Sequence, residues 1–293
     1  MISRFLRHPL GIIGLVLVGI PALAALTSLV WTPYDPLAFA PADRWLPPSP
    51  EHLLGTDAGG RDLFSILLVG AQSTMLATLL ATAIAVGVGL PLAMTTALAS
   101  RRIGLVLERG IDVAIAFPTL VLAIILVTSY GASLWVSSLA IGLGGAVVIA
   151  RTMVPELRGT LASPYVTLAT AGGVGVLGIL WRHVLPNTAP TLLIRATQLL
   201  SVAALAEAGL SYLGFGTPPP TPSWGRTLAD LQSQVLVRPE VLIAPSVAIT
   251  MLVIGFALLG DALRDALEPD QAAAASTRAR RLTIRPTPET VTA

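Results

Sequence analysis

Long uncharged stretches alternate with arginine-bearing or proline-rich segments along the whole chain. No Asp, Glu or Arg occurs in 9–30, 63–100 or 113–150, and each of the last two stretches is 38 residues long. A helix needs about 20 mostly apolar residues to span the hydrocarbon core of a bilayer. The pattern therefore predicts an all-α integral membrane protein.

Six transmembrane helices account for the apolar stretches. The stretch 63–100 exceeds one span, so we place a short interfacial turn before its helix, and the SYGAS break at 129–133 divides 113–150 into two spans. The predicted spans cover residues 9–31, 70–98, 110–129, 133–151, 188–213 and 241–263.

Polar segments connect and flank these spans. Residues 32–69 contain six prolines and 214–240 contain five, a density that prevents a continuous helix, and both are predicted to be external. Residues 1–8 are predicted to be a cytosolic N-terminus, and 266–293 a disordered cytosolic tail. The small residues at 22–24 leave a cleaved signal peptide as an alternative for the first span.

The distribution of arginine orients the chain. There is no lysine, so all 18 basic residues are arginine. In the six-span topology 14 of them lie on one side, and the other four are Arg44, Arg61, Arg226 and Arg238. Because cytoplasmic segments collect basic residues, both termini are predicted to be cytosolic.

The glycine-rich stretch 163–187 is nearly uncharged, yet Arg151 and Arg158 precede it and Arg182 lies near its end. If this stretch spanned the membrane, it would put those arginines on opposite sides. We therefore predict that 158–187 is a cytosolic loop of two short helices with a glycine hinge, which a cytosolic partner could bind. The alternative is a spanning helix softened by glycine.

Composition excludes several kinds of chemistry. Residues are 54% hydrophobic and 12% charged, and the mean hydropathy is +0.79. Without cysteine there is no disulfide, thiolate metal site or cysteine nucleophile, and without lysine there is no Walker A phosphate loop. The three histidines lack metal-ligand spacing, and the net charge of +2 does not indicate nucleic-acid binding.

Two features inside the predicted spans are candidates for a translocation path. Glu207 is an intramembrane carboxylate, which is costly unless it faces a cavity or a partner. It could contact substrate amines, or form a structural bond to a neighbouring subunit; Arg195 lies about 18 Å away along the helix, too far to pair directly. Pro118 lacks a backbone donor, so Phe117-Pro118 should kink the third span.

Several motifs resemble those of binding-protein-dependent ABC importer permeases. The loop resembles their cytoplasmic EAA coupling loop: Thr167-Leu168-Ala169 stands where Glu-Ala-Ala is expected, Gly173 matches the glycine, and HVLPN at 183–187 matches its end. In the family the acidic residue helps to fix the loop against the ATPase, so Thr167 implies an altered contact. Similarity to the second permease subunit of the dipeptide/oligopeptide/nickel family extends over about 8–270, through segments 54–72, 111–124, 207–230 and 260–270.

This resemblance implies the type I ABC importer permease fold and a non-catalytic subunit in a bacterial inner membrane. The implied partners are a second permease subunit, two ATPase subunits or one fused ATPase, an external substrate-binding protein and the lipid bilayer. No cofactor is expected on this chain, because ATP and Mg²⁺ would bind the ATPase subunits. The implied ATPase-coupling residues are Tyr165, Thr167, Ala169, Gly173, His183 and Pro186.

The resemblance also implies an external contact with the binding protein, for which Thr56, Asp57 and Trp224 are candidates. Thr56 or Asp57 could instead simply cap a helix after the Gly55 turn, and Trp224 could lie at the membrane interface. The implied substrates are dipeptides or oligopeptides, with nickel, haem or another small solute as alternatives. An autonomous secondary transporter, which would carry repeats and several buried ionisable groups, and a membrane enzyme are the competing functions.

Overall fold

The computed structural model describes residues 9–267, and within that range the chain folds into nine helices, besides two 3-10 turns at Pro41–Asp43 and Gln232–Gln234. They are α1 Pro9–Thr27, α2 Leu63–Leu98, α3 Arg101–Ile115, α4 Thr119–Tyr130, α5 Leu134–Leu161, α6 Pro164–Ala171, α7 Val176–Tyr212, α8 Trp224–Leu231 and α9 Glu240–Leu267. The predicted cytosolic N-terminus and all but the first two residues of the predicted tail lie outside the described range.

Five of these helices, α1, α2, α5, α7 and α9, are long and apolar enough to cross a membrane, and the bent pair α3–α4 raises the number to six. The all-helical, multi-span architecture predicted from the sequence is therefore confirmed.

The centre of the bundle is formed by α2, α5 and α7, and α1 and α9 pack together beside it. Small residues let α2 and α5 approach closely: a Cβ added to Gly142 would lie 2.7 Å from Ile84 Cβ, and one on Gly89 would lie 2.4 Å from the Ala146 carbonyl oxygen. In a bilayer, where lipid is as apolar as the side chains, such close backbone packing is a main source of helix association.

The third span is broken rather than kinked, which corrects the single helix predicted at 110–129. Helices α3 and α4 meet at an angle of 81°. Pro118 supplies no backbone donor and disfavours a helical conformation at Phe117, so α3 ends at Ile115 and α4 begins at Thr119. Residues 110–115 belong to a separate helix that starts at Arg101.

Distances along α5 give the positions of the other elements along the axis of the bundle. Its start follows a turn at Gly131 that coincides with the predicted break, and the flanking Tyr130 and Trp135 are 77% and 67% exposed, as is typical of aromatic residues at a membrane interface. Helix α3 forms ion pairs with α5 at Arg151 and Arg158, about 26 and 36 Å from the start of α5. These distances bracket the roughly 30 Å thickness of the hydrocarbon core, so α3 lies near the opposite interface.

Helix α2 begins at Leu63, upstream of the predicted start at residue 70, and no interfacial turn intervenes. Asp62 is its N-cap: Ser65 donates to Asp62 Oδ2 from its backbone N–H and from its hydroxyl, both at 2.8 Å. His52 Nδ1 lies 3.0 Å from the other carboxylate oxygen. Because the cap satisfies the first free amides, the helix starts one residue after Asp62.

Helix α7 is continuous over 37 residues, which corrects a second boundary. We predicted that His183–Asn187 would end a short second loop helix before a new span at 188. Instead, a π-helical turn at Leu180–Val184 carries the helix onward. Pro186 supplies no N–H and lies just after this widened turn, and the helix continues without a break past it and past Pro190.

Candidate functional site

The segment between α5 and α7 projects from one end of the bundle. Helix α5 continues past its last ion pair with α3, at Arg158, to Leu161, about 40 Å from its own start, and leads directly into α6. Helix α6 has eight residues and is about 12 Å long, too short to cross a bilayer. Gly173, with φ +83°, then reverses the chain into α7. The segment therefore leaves and re-enters the bundle at the same end.

One face of α6 is anchored to the base of α7. Val166 is 3% exposed and belongs to a buried cluster that includes Ile179, Leu180 and Val184. The ring of Tyr165 lies 6.3 Å from that of His183. These contacts fix α6 to α7, so a force applied to α6 would act directly on the long helix.

The other face of this segment exposes five large side chains, here called the coupling surface. They are Leu168 (73% exposed), Leu177 (72%), Trp181 (69%), Val176 (60%) and Tyr165 (44%). An exposed apolar surface of this kind marks a site that a partner protein or the membrane covers. The coupling surface consists of apolar and aromatic side chains and not of charged ones.

The predicted coupling residues divide into two groups. Tyr165 and His183 are brought together, Thr167 and Gly173 are exposed, and Ala169 is half-buried on the same short segment. Pro186, in contrast, is exposed on α7 beyond the π-helical turn.

Sequence reasoning missed four members of the coupling surface: Leu168, Val176, Leu177 and Trp181. Leu168 lies three residues after the predicted Tyr165 and therefore on the same helical face, and this spacing could have predicted it. The other three depend on how the glycine turn sets α7 beside α6.

Two ion pairs tie α3 to α5 just above this segment. Arg158 pairs with Glu108 and also donates to the Thr96 carbonyl at 3.4 Å, and Arg151 Nη1 lies 3.1 Å from Asp112 Oδ1. All four side chains are partly exposed, so each pair contributes roughly 0.2–1 kcal/mol. Because α5 continues into α6, these pairs connect α3 with the coupling surface.

On the opposite end, Thr56 and Asp57 close a loop and do not cap a helix. Asp57 Oδ1 accepts from the backbone N–H groups of Gly59 and Arg61 at 2.7 and 2.9 Å, and its other oxygen is 2.6 Å from Arg61 Nη2. The Thr56 hydroxyl accepts from the Leu46 N–H at 2.8 Å. The predicted capping role belongs to Asp62 instead.

Trp224 is 2% exposed and lies inside the bundle, so its predicted place at the membrane interface is wrong. Its indole N–H donates to the Leu67 carbonyl at 2.9 Å. Gly225 permits the close approach of α8, because a Cβ there would lie 2.2 Å from the Ala208 carbonyl oxygen. Thr56, Asp57 and Trp224 are all buried in this chain, and their predicted contact with an external binding protein stays a prediction.

Glu207 is 1% exposed, and the partners of its carboxylate belong to this chain. Ser211 Oγ donates to Glu207 Oε1 at 2.6 Å, and the Thr74 hydroxyl lies beside the same carboxyl group. Thr74 also accepts from the backbone N–H of Trp224 at 3.3 Å. These contacts join α7 to α2 and α8, and Glu207 Oε2 has no hydrogen-bond partner among the described residues. The predicted contact of Glu207 with substrate or with a neighbouring subunit stays a prediction.

Phe117 and Pro118 lie at the α3–α4 break and are exposed, with Phe117 at 48%. The chain does not enclose them, so they face lipid or a partner subunit. Their predicted place on a translocation path stays a prediction.

Comparison with known proteins identifies the family. The family model for binding-protein-dependent transport system inner membrane components matches residues 85–272. The chain belongs to this family. A putative peptide transport system permease protein of Brucella abortus is 38% identical over 271 residues, which cover 91% of this chain and 90% of that protein. The dipeptide transport system permease protein DppC of Alkalihalophilus pseudofirmus is 30% identical over 263 residues, which cover 90% and 86% of the two chains.

A solved structure of the MetNI methionine ABC transporter, described as inward facing, has a similar fold. The TM-score is 0.58 at 18% sequence identity, over 69% of this chain and 96% of the MetNI chain. The fold is therefore the type I ABC importer permease fold. The chain is a membrane-embedded permease component of an ABC importer, and this membership excludes the autonomous secondary transporter and the membrane enzyme considered above.

Proposed function

We propose that this chain forms half of the path by which an ABC importer moves dipeptides or oligopeptides across a bacterial inner membrane. A second permease subunit would complete the path, and an external substrate-binding protein would deliver the peptide. ATP would be hydrolysed on separate ATPase subunits, two chains or one fused chain. The peptide or dipeptide names of the relatives support this substrate class over nickel or haem.

The observation that carries the proposal is the coupling surface. Five apolar side chains are exposed beyond the bilayer, on a short helix whose other face is buried against α7. Covering such a surface stabilises a complex chiefly through apolar burial. An ATPase subunit bound there, on the cytosolic side, would be connected to the bundle through the buried contacts between α6 and α7. Both termini of the chain would lie on that same side.

Helix α7 then serves as a lever. It runs without a break for 37 residues, about 55 Å, from the coupling surface to the opposite end of the bundle. Glu207 and Trp224 connect that far end to α2 and α8. Movement of α6, when the ATPase subunits close on ATP, would thus reach the external face through a single rigid element.

The threonine at 167 fits an apolar attachment. Its hydroxyl donates to the Ser163 carbonyl at 3.2 Å and so serves the local helix. We infer that binding of the ATPase depends on Leu168, Leu177 and Trp181 and does not require an acidic side chain at 167.

The test is co-purification of the ATPase subunits with the tagged chain carrying Leu168→Asp and Leu177→Asp. Two buried charges in the interface should lower recovery of the ATPase by at least about tenfold, because an unpaired charge in an apolar interface is strongly unfavourable. The matched control is Leu53→Asp, an apolar residue that is 58% exposed in the external segment.

Uptake of labelled dialanine by cells that depend on this importer should fall with the double variant and persist with the control. Normal recovery of ATPase with the double variant would overturn the docking proposal. Uptake of nickel or haem without dialanine would overturn the substrate assignment and leave the docking proposal intact.

A further inference from the structure

Helix α3 has an apolar face that no other part of the described chain covers. Gly104 and Ile111 are buried against the bundle. On the far side of the helix, Ile103, Val106 and Val113 are 58%, 71% and 73% exposed. At 100° per residue these three fall within one arc of about 80°, so they form a continuous apolar stripe.

Two arginines border that stripe. Arg102 and Arg109 are seven residues apart and therefore lie on the same line of the helix, beside Val106 and Val113. Both are exposed, and the Arg109 side chain is 84% exposed.

The acidic residues of α3 do not neutralise this edge. Glu108 and Asp112 turn toward α5, where they pair with Arg158 and Arg151. Arg109 Nη1 is 3.9 Å from Asp112, whose closer partner, Arg151, lies at 3.1 Å. The α3 edge therefore presents net positive charge.

The level of α3 places this stripe at the membrane interface. Helix α3 forms ion pairs with α5 at Arg151 and Arg158, about 26 and 36 Å from the start of α5 near the aromatic residues of the other interface. It is bent by 81° from α4, so the two helices do not form one straight span. A helix at the interface buries its apolar arc at the acyl boundary and extends its arginines to the lipid phosphates.

We propose that α3 is an interfacial membrane helix whose Arg102 and Arg109 bind the headgroup phosphates of anionic phospholipids. The lipids belong to the leaflet next to the coupling surface, because α5 carries both α3 and α6. This proposal goes beyond peptide import: only the choice of the cytosolic leaflet depends on the orientation given above. It assigns α3 a lipid partner that sits one helix away from the ATPase attachment.

The test uses the full-length chain in vesicles, with an environment-sensitive fluorophore on Val106→Cys; the chain has no cysteine of its own. Brominated phosphatidylglycerol and brominated phosphatidylcholine are compared as quenchers. Each arginine near an anionic surface favours binding by about fivefold, so we expect a preference for phosphatidylglycerol on the order of 25-fold.

Arg102→Gln with Arg109→Gln should reduce that preference nearly to one, whereas Arg102→Lys with Arg109→Lys should retain most of it. The matched control, Arg44→Gln with Arg195→Gln, removes the same charge elsewhere and should leave the preference unchanged.

Raising the salt concentration should weaken the preference of the unsubstituted chain, a measurement that needs no variant to fold. Equal quenching by both lipids would overturn the headgroup site. No quenching by either lipid would overturn the contact of the stripe with lipid and would indicate that a protein covers it.

Discussion

At position 173, glycine is required because of the backbone conformation alone. It adopts φ +83° in the turn between α6 and α7, and a Cβ added there would meet no atom within 4 Å. Any cost of a side chain is therefore conformational and not steric. A left-handed conformation at a non-glycine residue costs about 1–2 kcal/mol.

We expect Gly173→Ala to destabilise the turn between α6 and α7 by about 1–2 kcal/mol. The substitution should lower both the thermal midpoint of the purified chain and transport-coupled ATP hydrolysis. The midpoint should fall by a few degrees for a chain of this length. Gly175→Ala is the matched control, since Gly175 has φ −67° and also has open space around its Cβ position. Equal effects of the two substitutions would show that the positive φ is not the reason for glycine at 173.

Glu207 is a residue whose burial predicts a structural role. Glu207→Ala removes the acceptor of the Ser211 hydroxyl and leaves a cavity, which should destabilise the chain by about 2–4 kcal/mol. Glu207→Gln keeps an acceptor oxygen and should cost less. The measurement is thermal unfolding in detergent. A loss of peptide uptake with an unchanged midpoint for Glu207→Ala would instead indicate contact with substrate.

At the scale of elements, Trp224 is the larger of the two apolar side chains, with Leu231, that anchor α8 in the bundle. Trp224 is 2% exposed and bonds the Leu67 carbonyl through its indole nitrogen, so Trp224→Ala should cost about 3–5 kcal/mol. Trp181, 69% exposed on the coupling surface, is the matched control. Trp181→Ala should leave the midpoint nearly unchanged yet reduce recovery of the ATPase. If Trp181→Ala instead lowers the midpoint and Trp224→Ala instead reduces only recovery of the ATPase, both assignments are wrong.

The ion pairs between α3 and α5 make a second prediction at this scale. A double-mutant cycle with Asp112→Asn and Arg151→Gln should give a coupling energy of about 0.2–1 kcal/mol, because both side chains are partly exposed. Added salt should reduce that energy. A coupling near zero at low salt would mean that the pair does not hold α3 in place.

For the molecule as a whole, span number and the course of 163–187 could be predicted because both depend on local rules. Uncharged length limits which segments fit a bilayer, and the arginines around 163–187 oppose a crossing there. The sequence predicts a kink at Pro118 and not the full break, although α3 carries five charged residues and α4 carries none; how far two helices bend apart at a proline depends on the neighbours they meet. The burial of Trp224 and the pairing of Glu207 with Thr74 depend on contacts across more than 130 positions. No pattern of neighbouring residues in the sequence predicts these contacts.

The central claim is that the coupling surface faces the cytosol while the α8 region faces outward. Single cysteines replace Leu177, which is 72% exposed on the coupling surface, and Leu236, which is 93% exposed after α8. A membrane-impermeant maleimide is then applied to intact cells, or spheroplasts where an outer envelope blocks it, and to inside-out vesicles. Leu177→Cys should react only in the vesicles and Leu236→Cys only in the cells. Reaction of Leu177→Cys from outside would contradict the account.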